Sequence, residues 1–167
     1  WKEVIDRAFG HRTHFLLAEA GGRIEGVLPL AEVKSVLFGH SLSSLPFCVY
    51  GGVAAATDRA RQALDAAAVA LAERLRVDHL EYRSQAASHA QWQAKDLYVT
   101  FRRAIDPDPD KNMNAIPRKQ RAMVRKGLQK NLVTEIDAGT DRLYDIYSES
   151  LRNLGTPVFA KRYPRIL

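Results

Sequence analysis

Two adjacent glycines, Gly21 and Gly22, split the extended apolar runs 14–20 and 23–38. Both can take positive φ, which the tight turns joining antiparallel strands require. A hairpin here commits the first part of the chain to a sheet. In the second run apolar residues fall on both parities: Ile24, Leu28 and Leu30 on one, Val27, Ala31 and Val33 on the other. A strand of that kind is expected to be covered on both faces. Gly26 and Pro29 within it mark a bulge or an edge stretch.

The remaining elements follow from period and punctuation. Residues 2–9 read as one or two helical turns. Phe38-Gly39-His40 turns the chain into a third strand over 42–49, with a flexible Tyr50-Gly51-Gly52 after it. Thr57 or Asp58 then caps an alanine-rich helix whose Leu64, Ala68, Leu71 and Leu75 step along one face. A fourth strand is expected over 77–83, a short helix or loop over 88–94 and a fifth strand over 97–105. Asp106-Pro107-Asp108-Pro109-Asp110 reads as a linker, because alternating prolines exclude regular structure. Beyond it come a basic helix capped by Asn112 or Asn114, a strand over 132–136 and a helix over 141–154. The order is β-β-β-α-β-α-β, then α-β-α. It predicts an α/β chain with a mixed sheet covered on both faces. The expected domains are 1–105, a linker 106–115, and 116–167.

With 46 % hydrophobic and 26 % charged residues among 167, the chain has the balance of a globular protein. Collagen, a disulfide scaffold and disorder throughout are excluded. No run reaches the roughly 20 apolar residues that a spanning helix needs. The chain opens on Trp1-Lys2-Glu3 without an apolar leader, and its last residues read as the start of another element. A fragment of a longer, cytoplasmic protein is the expectation. One cysteine, Cys48, precludes an internal disulfide and fits a reducing compartment. Its apolar neighbours suggest a buried, inert thiol inside a strand.

Charge is concentrated. Of a net +6, all is carried by 111–130, where Lys111, Arg118, Lys119, Arg121, Arg125, Lys126 and Lys130 stand without one acid. Ordinary solvated helices mix both signs to gain i,i+4 pairs. A helix that does not is either a plain solvated basic face or the mark of an anionic partner: phosphate, nucleotide, nucleic acid or an acidic membrane surface. Arg118, Arg121 and Arg125, at i, i+3 and i+7, share a face and form a candidate anion site. Ile116, Met123, Val124 and Leu128 form an apolar stripe. No aromatic residue interleaves with these cations, which weighs against an RNA-binding module.

Few other motifs carry chemistry. His11-x-x-His14 is the only close histidine pair, with no completing ligand. No nucleophile elbow, P-loop or dinucleotide fingerprint occurs. Glu81 and Arg83 alternate with Leu80 and Tyr82 on a strand, either as an acid–base group and an anion-binding group in a cleft or, more commonly, as strand residues pointing at a covering helix. Tyr50, Gly51 and Gly52 lie before a helix N-terminus, where free N–H groups attract anions. A plain turn is the competing reading of that glycine pair.

Three stretches carry a resemblance: Gly26-Val27-Leu28-Pro29-Leu30 running into 37–47, 116–127, and 147–157. They look like the FemAB-like proteins associated with the PEP-CTERM/exosortase exopolysaccharide system, and the element order is similar to that of GNAT-type acyltransferases. The resemblance implies tandem GNAT-like domains, this chain holding most of an N-terminally trimmed first one and the opening helices of a second. It implies an N-acyltransferase or aminoacyltransferase working on a cell-envelope polysaccharide or glycopeptide precursor. The donor would be acyl-CoA or aminoacyl-tRNA. Tyr50, Gly51, Gly52 and Arg83, with Arg118, Lys119, Arg121 and Arg125, are the candidate donor- or substrate-binding residues; no residue is singled out as catalytic. The alternative is a non-catalytic module binding a nucleotide-sugar, RNA or acidic polymer through the basic helix.

Overall fold

A computed structural model describes residues 1–86 and 88–167. By contacts the chain divides into two units, Trp1–Trp92 with Gly139–Leu167, and Gln93–Ala138. The expected boundaries at 105 and 115 both fall inside the second.

The first unit is built on a mixed sheet. Strands β1 (Arg12–Ala20) and β2 (Arg23–Ser35) form the expected hairpin, with Gly21 and Gly22 at φ 57° and 74°. β2 pairs antiparallel with β3 (Gly39–Ser44), and a two-residue β4 (Ala54–Ala55) pairs with the start of β2. Helix α2 (Asp58–Leu75) then crosses over to β5 (His79–Glu81), which lies parallel to β3. The sheet order is β1-β2-β3-β5. The three leading strands are therefore consecutive neighbours, as the turns predict.

One face of this sheet meets α2. Leu28, Leu30 and Leu42 from the strands pack with Leu64, Ala68 and Leu71 from the helix. These are the apolar positions that the 3.6-residue period selects. Thr57 caps α2, its Oγ1 accepting from the Ala60 N–H at 3.2 Å. Elsewhere in the unit, α1 (Lys2–Val4) widens into a π-type turn, Ile5–Phe9, which ends at left-handed Gly10. It buries Val4, Ile5 and Ala8. Helices α5 (Asp141–Asn153) and α6 (Arg162–Ile166) complete the unit, and Arg162 Nε donates to the Ala8 carbonyl at 2.6 Å. The Phe9 ring stacks on Phe47 at 4.1 Å and meets Phe159 and Tyr163.

The second unit has two short helices, α3 (Pro109–Asn114) and α4 (Arg118–Leu128). Part of the expected linker is thus helical. Asp108 caps α3 by accepting from the Asp110 N–H, and Pro109 takes the first position, where no N–H is needed. Pro117, rather than Asn112 or Asn114, precedes α4.

Four expectations are corrected. The third strand ends at Ser44, not at 49, because Leu45 and Phe47 turn to φ 43° and 69° and leave the ladder. The fourth strand is shortened to His79–Glu81. The stretches 97–105 and 132–136 carry strand-like patterns but have no regular structure. Leu97, Val99 and Phe101 are exposed there, as are Leu132 and Ile136. Extended backbone needs a neighbouring strand to satisfy its N–H and C=O groups, and β-pattern alone does not supply one.

Candidate functional site

The carboxyl ends of β3 and β5 meet where the sheet changes from antiparallel to parallel pairing. Loops after such ends form crevices in open sheets. Ser41, Leu42 and Ser43 pair with His79, Leu80 and Glu81. One step further, the Arg83 N–H donates to Ser44 Oγ at 2.8 Å. The loop after β3 folds back over this junction. The Gly51 N–H donates to the Arg83 carbonyl at 2.7 Å, and Arg83 Nη1 donates to the Cys48 carbonyl at 3.1 Å.

Four of the sequence-derived candidates, Tyr50, Gly51, Gly52 and Arg83, therefore belong to one loop-and-strand junction. The glycines have a specific reason to be there. A Cβ on Gly51 would lie 2.7 Å from the Ser44 carbonyl oxygen, and Gly52 sits at φ 86° with Ser84 Oγ 2.8 Å from where its Cβ would be. The backbone is pressed against its own strand ends.

The polar groups on one side of this junction are Ser43, Glu81 and Arg83. Ser43 pairs with Glu81 across the parallel strands, so the two project to the same face. Ser43 is 3 % exposed, and its hydroxyl has no partner among the described residues. Arg83 Nε lies 2.8 Å from Glu81 Oε1 without the N–H pointing along that line, so the contact is ionic. Cys48 lies in the turn after β3, not inside a strand; burial pushes its thiol up, with the Arg83 guanidinium acting in the opposite sense.

The N-terminus of α2 carries acid. Glu25 Oε2 accepts from Thr57 Oγ1 at 3.2 Å, and Asp58 stands in the first turn. A diphosphate placed there would meet like charge. Arg83 is the cation at the junction.

The four candidates on α4 lie in the second unit. Arg118, Lys119 and Arg125 are exposed, and their side chains make no hydrogen bond or ion pair among the described residues. Arg121 differs. Its guanidinium turns back to the α3–α4 corner, where Nη2 donates to the carbonyls of Asn114 and Ile116, both at 3.0 Å. The sequence places three arginines on one face; the middle one, Arg121, closes a turn.

Two further polar groupings escaped the sequence. Glu32 on β2 accepts from His40 Nε2 at 2.7 Å and faces His14 Nε2 at 3.6 Å, linking three strands. Burial alone would raise the Glu32 carboxyl, but the two imidazoles hold it below the usual range. The turn at Gly21 and Gly22 alone would set His14 opposite Pro29. A bulge between Ala18 and Glu19 shifts it opposite Leu30, two residues from Glu32 and on its face, so nothing in the sequence signalled this cluster. His11 instead stacks on Phe47, so the sequence pair His11 and His14 is divided. In the other grouping, Asp65 Oδ2 lies 3.0 Å from His89 Nε2, beside the Tyr82 and Trp92 rings. Burial, with Asp65 close by, pushes the Tyr82 hydroxyl up.

Among the described residues, no group of three or more His, Cys, Asp or Glu is placed to hold a metal ion. An open groove of about 330 Å³ runs along α2 and β5, lined by Val69, Ala72, Val77, Leu80 and Trp92 with a polar rim. None of the sequence-derived candidates lines it. Among the described residues no helix is long and apolar enough to cross a membrane. No family model, curated protein or solved structure matches the chain.

Proposed function

We propose that the chain is the donor-handling part of an N-acyltransferase or aminoacyltransferase of FemAB/GNAT type, acting on a cell-envelope polysaccharide or glycopeptide precursor. The observation that carries this reading is the β3–α2–β5 crossover, with Ser43, Glu81 and Arg83 gathered at the end of its parallel pair. Acyl transfer to an amine needs a group that takes the amine's proton and donors for the oxyanion of the tetrahedral intermediate. Glu81 is suited to the first task. Arg83 supplies positive charge for an anionic donor, either acyl-CoA or aminoacyl-tRNA, because the acids at the start of α2 oppose a phosphate there.

The test supplies acyl-CoA or aminoacyl-tRNA together with amino-sugar and peptide acceptors. Amide signals of Gly51, Gly52 and Arg83 are followed on donor addition, and release of free CoA thiol or deacylated tRNA reports turnover. Donor-dependent shifts at those amides, abolished in Arg83→Gln, support the reading. Failure of every donor to move them overturns it.

A further inference from the structure

Helix α4 separates two kinds of side chain around its axis. At about 100° per residue, Met123, Gly127, Gln120, Val124 and Leu128 fall on one arc. Arg121, Arg125, Arg118, Lys126 and Lys119 fall on the other. No residue of α4 is buried; Met123 is 65 % and Leu128 66 % exposed. On the charged arc, the side chains of Arg118, Lys119, Arg125 and Lys126 have neither hydrogen bond nor ion pair among the described residues, and the helix holds no acid.

A solvated helix has no reason to expose the first arc, and a purely electrostatic polyanion site has no use for it. The partner that satisfies both arcs together is apolar below and anionic above. We propose that α4 is an interfacial helix, which lays Met123, Val124 and Leu128 into the acyl boundary of an anionic lipid surface while its free cations reach headgroup phosphates. A helix with a strongly charged face, low net hydrophobicity and an unburied apolar face has the physical character of such an anchor. Lys119 and Lys126 both border Met123 on the charged side of the wheel, so their aliphatic stems can lie along the apolar surface with the ammonium groups in water. Arg121, held by the Asn114 and Ile116 carbonyls, fixes the entry of the helix instead. The inference is independent of acyl transfer and stands or falls without it.

The experiment measures partition of the whole chain onto phosphatidylcholine vesicles with and without phosphatidylglycerol. Binding is expected only with the anionic lipid and should weaken with salt. Lys119→Gln, Arg125→Gln and Lys126→Gln together keep helix propensity and should weaken partition about 100-fold, at about fivefold per cation near a charged surface. Met123→Ala with Leu128→Ala leaves the charge untouched and should weaken it at least tenfold. Circular dichroism and the thermal midpoint confirm that both variants fold. A single RNA oligonucleotide serves as the competing ligand. Tight RNA binding that Met123→Ala with Leu128→Ala leaves intact, without vesicle binding, overturns the proposal. So does equal affinity for neutral and anionic vesicles, or none for either.

Discussion

Ser44 Oγ accepts the Arg83 backbone N–H at 2.8 Å, across a separation of 39 residues. A side chain thereby continues the β3–β5 ladder one step past its last backbone pair. Ser44 is fully buried, so water offers no substitute. Ser44→Ala leaves that N–H without an acceptor and should cost about 1–3 kcal/mol. Chemical denaturation measures the loss; an unchanged midpoint would mean that Arg83 finds another partner.

Gly51→Ala tests the close approach of the loop. Its added Cβ falls 2.7 Å from the Ser44 carbonyl oxygen, a backbone atom with little freedom to move. We expect loss of more than about 1 kcal/mol, by the cost of overpacking. Gly127→Ala is the control, because nothing lies within 4 Å of a Cβ there. That substitution should stabilise α4 by several tenths of a kcal/mol, about the difference in helix propensity.

Acidification reports on Glu32. Folding lowers its pKa, so ionised Glu32 favours the native state. That contribution is complete above the ordinary carboxylate value and is lost as pH falls through the lower folded value. Glu32→Gln should therefore flatten the acid limb of a stability–pH curve relative to the wild type. An identical limb in both proteins would assign acid sensitivity to other carboxylates.

The two kinds of arginine on α4 should behave differently. Arg121→Gln removes donors from the Asn114 and Ile116 carbonyls and should speed amide exchange at the α3–α4 corner. Arg118→Gln should leave exchange there unchanged. Equal effects would show that the corner is held by something other than the guanidinium.

Cys48 should react slowly. Burial raises its pKa, so less thiolate is present near neutrality than in an unfolded chain. Its reaction with a disulfide reagent should accelerate when denaturant opens the fold. A fast native reaction would place the sulfur in a more exposed setting.

What was legible in the sequence was local. Gly21 and Gly22 announce the hairpin because a two-residue turn needs positive φ, and Leu64, Ala68 and Leu71 announce α2 because burial follows the helical period. What was hidden depends on partners distant in the chain. Leu42 to Val49 reads as one strand until Leu45 and Phe47 bend away. Val99 and Phe101 look equally strand-like, yet they remain outside the sheet. At the candidate site, Gly51, Gly52 and Arg83 could be named from the sequence. Ser43 and Ser44 could not be given roles, because those depend on the parallel register. Arg121 was indistinguishable from Arg118, since only the corner geometry assigns its guanidinium to carbonyls.

The parallel pairing of β3 with β5 is clamped at its other end as well, and it has a kinetic consequence. Asp78 Oδ2 accepts the His40 N–H at 2.7 Å, and the Asp78 N–H donates to the His40 carbonyl at 2.7 Å, across 38 residues of chain. The β1–β2 hairpin closes over two residues, whereas this contact must first confine the whole α2 crossover. Loop-closure entropy therefore delays it, and β5 should be the last strand to acquire protection when refolding is followed by pulsed amide exchange. During synthesis the hairpin can emerge and fold while β5 is still unmade. Until His79–Glu81 arrives, the outer edge of β3 is an open row of donors and acceptors, the condition under which a nascent sheet is most exposed to pairing with another chain.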